Sequence, residues 1–204
     1  MMTLHHSPTS PYVRKVMVVL HETGQLDSVR LVPGSGTPVA PAQSLLGTNP
    51  LGKVPALERE DGCALYDSRV ICRYLASLSP KGAGLYPAVP ALWEALTLES
   101  TADGILDAAL LMRYETVLRA PPQQAADWVE GQWGKVTRAL SVLEQRWMAH
   151  LEGPLTIGVI ATGCALAYLD FRFAERDWAA QHPALAAWSV RFGARDSMRA
   201  TRPE

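Results

Sequence analysis

Val13, Val16, Met17 and Leu20 recur at helical spacing behind a Ser10-Pro11 start and stop before Gly24, which predicts a helix over Pro11 to Thr23. Met2 to His6 ahead of it and Val29 to Val32 after it read as short strands. Pro33 to Pro41 is rich in glycine and proline and is expected to be an exposed loop, followed by a short irregular helix from Pro41 to Leu46 that ends at Gly47. Val54 to Leu57 and Ala64 to Tyr66 then form a hairpin around the turn dipeptide Asp61-Gly62. Asp67 or Ser68 caps a helix running through Leu78.

The pattern changes past that point. Ser79 to Pro90 holds three prolines and two glycines and reads as a linker. No strand is predicted beyond it. Ala91 to Leu118 is one long helix, Pro121-Pro122 break the chain, and Gln123 to Leu151 is another. Gly153-Pro154 turn into a third, largely apolar helix from Thr156 to about Trp178, and Pro183 to Phe192 is the last. The expected fold is a mixed α/β half followed by an all-helical half, with no internal repeat or low-complexity segment.

At 204 residues, 48% hydrophobic and 19% charged, the chain can bury one large core or two small ones. A net charge of −1 without a basic run excludes the clustered cations that nucleic-acid backbones require. The longest nearly apolar stretch, Gly158 to Leu169, is shorter than the ~20 residues of a membrane helix, so no membrane partner is expected. The first basic residues are Arg14 and Lys15, and Val16 to Leu20 is too short for a signal-peptide core. Cys63, Cys72 and Cys164 have neither C-x-x-C nor metal-ligand spacing; they read as small buried hydrophobes in a reducing cytoplasm, with no metal. His5 and His6, adjacent on a strand, point to opposite faces, which argues against joint metal binding.

Candidate chemistry sits in the first half. Ser10 before Pro11 is a helix N-cap followed by an N1 proline, and a helix starting there aims free N–H groups and its positive dipole end at whatever lies beside the Ser10 hydroxyl. A thiolate suits that position. Lys53-Val54-Pro55-Ala56-Leu57 and Tyr66-Asp67-Ser68 follow in order. Each is a common local motif; their order and spacing carry the information. Together they resemble the thioredoxin-like N-terminal domain of cytosolic glutathione transferases, and within that family the small bacterial members that read Ser-Pro-Tyr/Phe-Val-Arg-Lys.

The resemblance implies an α/β thioredoxin-like glutathione-binding domain over residues 1–78, a linker over 79–90 and an all-α C-terminal domain over 91–204. It implies glutathione as co-substrate, held as a thiolate that attacks a small electrophile. Glutaredoxins and omega-type transferases carry Cys-Pro-Tyr/Phe at this helix start. Here Ser10 and Val13 stand where the two thiols would be, which excludes dithiol–disulfide exchange by this site. A serine can donate its O–H to the glutathione sulfur. Such a bond to a charged group contributes ~1.5–3 kcal/mol and the helix terminus about 0.3–1 kcal/mol, enough to make a thiol of pKa ~8.5 mostly thiolate at neutral pH. Ser7 and Thr9 are nearby hydroxyls that could substitute for Ser10.

In the family the proline at Val54-Pro55 is cis and frees the N–H and C=O of Val54 to pair with the cysteinyl unit of glutathione. Lys53 either meets the glycyl carboxylate or is solvated, and Asn49 is read as a turn former. Ser68 suits the γ-glutamyl carboxylate and Asp67 its ammonium, although many members have Glu there; the plain alternative is a capping pair without ligand. Asp103, Asp107, Leu111 and Arg113 lie on the long helix that faces the acceptor in the family, and Asp103 and Asp107 share a helix face. They are either acid/base groups or a solvated or subunit-facing surface. Tyr168, Phe171, Arg172 and Trp178 line either a pocket or the core. Thr156-Ile157-Gly158-Val159 keeps the cap of the family's Ser/Thr-x-x-Asp box and loses the acid. The resemblance also implies a homodimer, with Leu92, Leu96, Leu106 and Leu110 exceeding what one buried stripe requires. Two rivals stand beside the transferase: a non-catalytic glutathione-binding or interaction protein on the same fold, and a zeta-type isomerase, whose Ser-Ser-Cys start Ser10-Pro11-Tyr12 does not match.

Overall fold

Met2–His6 forms β1, the central partner of a four-stranded sheet of order β2-β1-β3-β4. It pairs in parallel with β2 (Val29–Pro33) and antiparallel with β3 (Ala56–Glu58), which in turn pairs antiparallel with β4 (Ala64–Leu65). The parallel pair needs a crossover, supplied by α1 (Pro11–Thr23). The computed structural model describes residues 1–34 and 36–203. The expected loop over Pro33 to Pro41 includes Ser35, and the expected helical half includes Glu204; both lie outside the described residues.

Helix α1 begins at the Ser10 cap and ends at Gly24, whose φ of 68° is the left-handed conformation that glycine adopts without a Cβ penalty. Leu4 and Leu57, opposite each other across β1 and β3, are fully buried with Val16, Leu20, Ile71 and Leu75. The last two lie on α3 (Ser68–Ser77), and a short α2 (Gln43–Leu46) precedes the hairpin. The hairpin strands are shorter than the apolar pattern suggests. β3 starts at Ala56 and not Val54, because Pro55 has no N–H for the ladder, and β4 stops at Leu65 before Tyr66.

Ala88 to Arg195 form a second unit without strands among the described residues. Its core is α7 (Ile157–Arg172), buried from Ile157 to Leu166, beside α4 (Ala91–Leu118). Helix α5 (Ala126–Val142) widens into a π turn at Leu143–Trp147 before α6 (Met148–Leu151), so the continuous helix expected from Gln123 to Leu151 is interrupted. Glu144 lies in that wider turn. Its carboxylate accepts the N–H groups of Ala184 (2.8 Å) and Leu185 (3.3 Å), the orphan donors at the start of α9 (Pro183–Gly193). The third helix ends at Arg172 and not near Trp178, which instead opens α8 (Trp178–Gln181). Thr156 occupies the N-cap of α7, but its hydroxyl makes no capping bond, so the cap expected there is absent.

The chain's end departs from the expected domain division. Helix α10 (Asp196–Ala200) and the residues after it belong with Met1–Pro87, not with the helical unit. Buried Arg14 of α1 donates to the Met198 carbonyl (3.0 Å), and the Ser197 hydroxyl donates to Glu22 (2.6 Å). Cys72 and Cys164 are buried as expected of small hydrophobes; Cys63, in the β3–β4 turn, is exposed. No single helix among the described residues is long and apolar enough to cross a membrane.

Candidate functional site

The register of the sheet gathers the three sequence segments at one edge. His5 pairs with Ala56, so Val54-Pro55 arrives beside the end of β1, from which the chain runs on to Ser10. Leu57 pairs with Leu65, so the chain leaving β4 turns into Asp67 and Ser68 at that same edge. Gly34, just past β2, completes it: a Cβ there would lie 3.3 Å from Val54 Cγ1 and 3.5 Å from His5 Cβ, a close approach that sequence reading missed. Strands sit ~4.8 Å apart, so the edge from β1 to β4 spans about 10 Å, the length of an extended tripeptide. Behind it, His5 Nε2 meets Glu58 at 2.6 Å and the Thr48 hydroxyl donates to the same oxygen at 2.9 Å; these bonds hold the Glu58 carboxyl below its ordinary range. His6 is half-buried, and burial lowers its pKa.

Ser10 is the N-cap of α1, and its Oγ accepts the Val13 N–H at 3.3 Å. That bond uses the oxygen as acceptor and leaves the hydroxyl hydrogen to donate elsewhere. Ser7 and Thr9 lie within 3.5 Å of each other through their hydroxyls. Val54-Pro55 is cis, and no hydrogen bond among the described residues engages the backbone N–H or C=O of Val54. Pro55 is buried and Lys53 exposed. Asn49 is buried as a turn former: its Nδ2 donates to the Lys53 carbonyl (2.8 Å) and its Oδ1 accepts the Leu51 N–H (3.0 Å).

Asp67 caps α3, accepting the Arg69 N–H at 3.0 Å, while its other oxygen lies 3.7 Å from the Arg69 guanidinium. Ser68, one residue on, is 1% exposed, and its hydroxyl has no hydrogen-bond partner among the described residues. The two positions thus differ: the Asp67 side chain holds the helix start, whereas the Ser68 side chain makes no hydrogen bond among the described residues.

The residues read as an acceptor set do not share one environment. Asp103 is buried while Asp107, one turn on, is exposed, as is Leu111. Tyr168 is buried on α7, and Trp178 is buried with its Nε1 donating to Asp170 at 2.7 Å. Burial raises the pKa of Tyr168 against the pull of Arg172 and Arg113, and burial raises that of Tyr114 on α4, so both phenols stay protonated donors at neutral pH. A cavity of about 400 Å³ in the helical unit, between Leu151, Val159, Trp188 and Phe192, shares no residue with either set.

The model of the glutathione S-transferase N-terminal domain matches residues 9–78, and that of the glutathione S-transferase C-terminal domain matches 126–191. An uncharacterized GST-like protein of Escherichia coli K12, YibF, is 32% identical, with 99% of this chain and 98% of that protein aligned. A glutathione transferase family member from Pseudomonas fluorescens Pf-5, solved with bound glutathione, is 50% identical with a TM-score of 0.98 and full coverage of both chains. The same family member solved with S-(propanoic acid)-glutathione superimposes with a TM-score of 0.93, at 48% identity and full coverage. With an α/β N-terminal half, a helical second half and both family domains matched, this chain belongs to the glutathione S-transferase family.

Proposed function

We propose that this protein is a glutathione transferase that holds glutathione along the sheet edge and uses its thiolate against a small electrophile. The observation that carries the reading is the unengaged backbone of Val54 at a cis proline, at the edge to which the capped helix start at Ser10 also leads. In this reading Val54 pairs strand-like with the cysteinyl unit, and the Ser10 hydroxyl donates to the sulfur. Ser68 and the start of α3 hold the γ-glutamyl carboxylate, with Asp67 beside the ammonium. Lys53 reaches toward the glycyl carboxylate. The Pseudomonas relatives with bound glutathione and bound S-(propanoic acid)-glutathione support both the co-substrate and an S-substituted product. The acceptor side is assigned to α4 and α7, where Asp103, Asp107, Leu111 and Tyr168 lie. Residues 1–78 serve as the glutathione domain and 79–90 as the linker, and within 91–204 the acceptor domain is the helical unit through Arg195; the protein works in the cytoplasm.

Ser68→Ala and Asp67→Ala are each expected to weaken glutathione binding roughly tenfold, since each leaves one charged group of the ligand short of a partner. Isothermal titration checks this, and wild-type affinity in both variants removes the pair from the site. Turnover of an aromatic halide or an organic peroxide separates a transferase from a non-catalytic glutathione binder, which would bind without turnover.

The working form is a homodimer. Trp93 on α4 is 63% exposed, and Leu92, Leu96 and Leu110 are only half-buried, more apolar surface than a lone helix presents to water. Light scattering should give about 44 kDa, twice the 22.2 kDa chain. A mass near that of one chain at micromolar concentration overturns the dimer.

A further inference from the structure

Residues 47–55 join α2 to β3 and carry Lys53 and Val54, the two positions set against the cysteinyl and glycyl units of glutathione. The turn is stiff inside. The N–H groups of Thr48 and Asn49 return to the Leu45 carbonyl (3.0 and 2.8 Å), and the Asn49 side chain spans from the Leu51 N–H to the Lys53 carbonyl. Internal stiffness does not fix where a turn sits on a sheet. Between residues 47–53 and the strands, the hydrogen bond found among the described residues is the one from Thr48 Oγ1 to Glu58 Oε1, at 2.9 Å. The same oxygen meets His5 Nε2 at 2.6 Å. A carboxylate only accepts, so Nε2 carries the proton. His5 is a firm anchor: it is buried at the end of β1, and a Cβ on Gly34 would lie 3.5 Å from its own Cβ. One half-buried carboxylate oxygen thus ties the turn that leads to Val54 to the strand that leads to Ser10.

We propose that Glu58 is a positioning residue for glutathione: by holding Thr48 and His5 through one oxygen, it fixes where the turn delivers Lys53 and Val54. The proposal rests on the glutathione reading above. Glu58 acts through the turn and is not among the residues assigned to touch the ligand. Strand-like pairing with a peptide requires the Val54 N–H and C=O at hydrogen-bonding distance and angle. A turn free to shift over the sheet meets that requirement only part of the time, and affinity falls in proportion to the fraction of chains in the competent placement. What the tie needs is an acceptor oxygen at this reach; the second carboxylate oxygen makes no hydrogen bond among the described residues.

Isothermal titration of the full chain with glutathione, beside thermal unfolding of each ligand-free variant, tests this. Glu58→Met removes the acceptor at similar length and should weaken binding about tenfold, as a competent turn populated about one-tenth of the time implies. Thr48→Val removes only the donor and should weaken it severalfold. Glu58→Gln keeps an acceptor oxygen at the same reach and should bind within about twofold of the wild type. Gly24→Ala is the control for stability alone. It strains the left-handed residue (φ 68°) at the far end of α1 and should lower Tm with glutathione affinity unchanged. Wild-type affinity in Thr48→Val overturns the positioning role, whether or not Glu58→Met folds. So does equal weakening by Glu58→Gln and Glu58→Met, which would assign the effect to charge, or a matching loss in Gly24→Ala, which would make affinity follow stability. A wild type that does not bind glutathione overturns the glutathione reading and the positioning role together.

Discussion

Ser10→Ala is expected to cut turnover at pH 7 by about 10–100-fold while glutathione affinity stays close to that of the wild type, because the lost bond is worth ~1.5–3 kcal/mol to the thiolate and little to the thiol. The direction with pH follows. Without the donor the bound thiol loses stabilisation of its charged form, its pKa rises, and less of it is ionised at pH 7. Turnover should therefore recover toward the wild-type level as pH is raised, and the kinetic pKa should move up. The substitution also removes the Oγ acceptor of the Val13 N–H, costing about 1 kcal/mol of stability as a lost cap. Thermal unfolding measured beside the pH–rate profile separates the two effects, since a lost cap lowers Tm without moving a kinetic pKa. Unchanged turnover with an unchanged kinetic pKa would transfer the role to Thr9, Ser7 or a backbone N–H.

How far the sequence carried this picture depended on the kind of signal. Proline and glycine punctuation placed α1 between Pro11 and Thr23 and α4 between Ala91 and Leu118, because a cap, an N1 proline and a left-handed glycine act through local backbone energetics. The three candidate site segments were legible for the same reason, but that the sheet register carries them to one edge was not. Helix α10 escaped notice because its anchoring is polar: Arg14 and Ser197 hold it through hydrogen bonds, and no apolar periodicity marks Asp196 to Ala200. The π turn at Leu143–Trp147 is likewise set by where Glu144 must reach, a tertiary demand. Asp103 and Lys15 show the converse limit. Charged residues on helices read as solvated, yet Asp103 is 2% exposed and Lys15 fully buried.

Gly158→Ala is expected to destabilise the protein by about 3 kcal/mol, because at Gly158 α7 rests on α4 too closely to admit a methyl group. A Cβ on Gly158 would lie 2.6 Å from the Ala95 carbonyl oxygen and 2.7 Å from Leu98 Cβ. The first is helix backbone and the second is the root of a fully buried side chain, so neither can swing aside. Relief requires lifting α7 off α4, which opens gaps along a core that includes Ile105, Met112 and Cys164, or straining both helices in place. Gly131 in α5 is the matched control. Nothing lies within 4 Å of its added Cβ, so Gly131→Ala should stabilise by about 0.5–1 kcal/mol through helix propensity alone. Chemical denaturation of the two variants beside the wild type reads both signs. Equal stability of Gly158→Ala and wild type would mean that α7 and α4 do not touch at this residue.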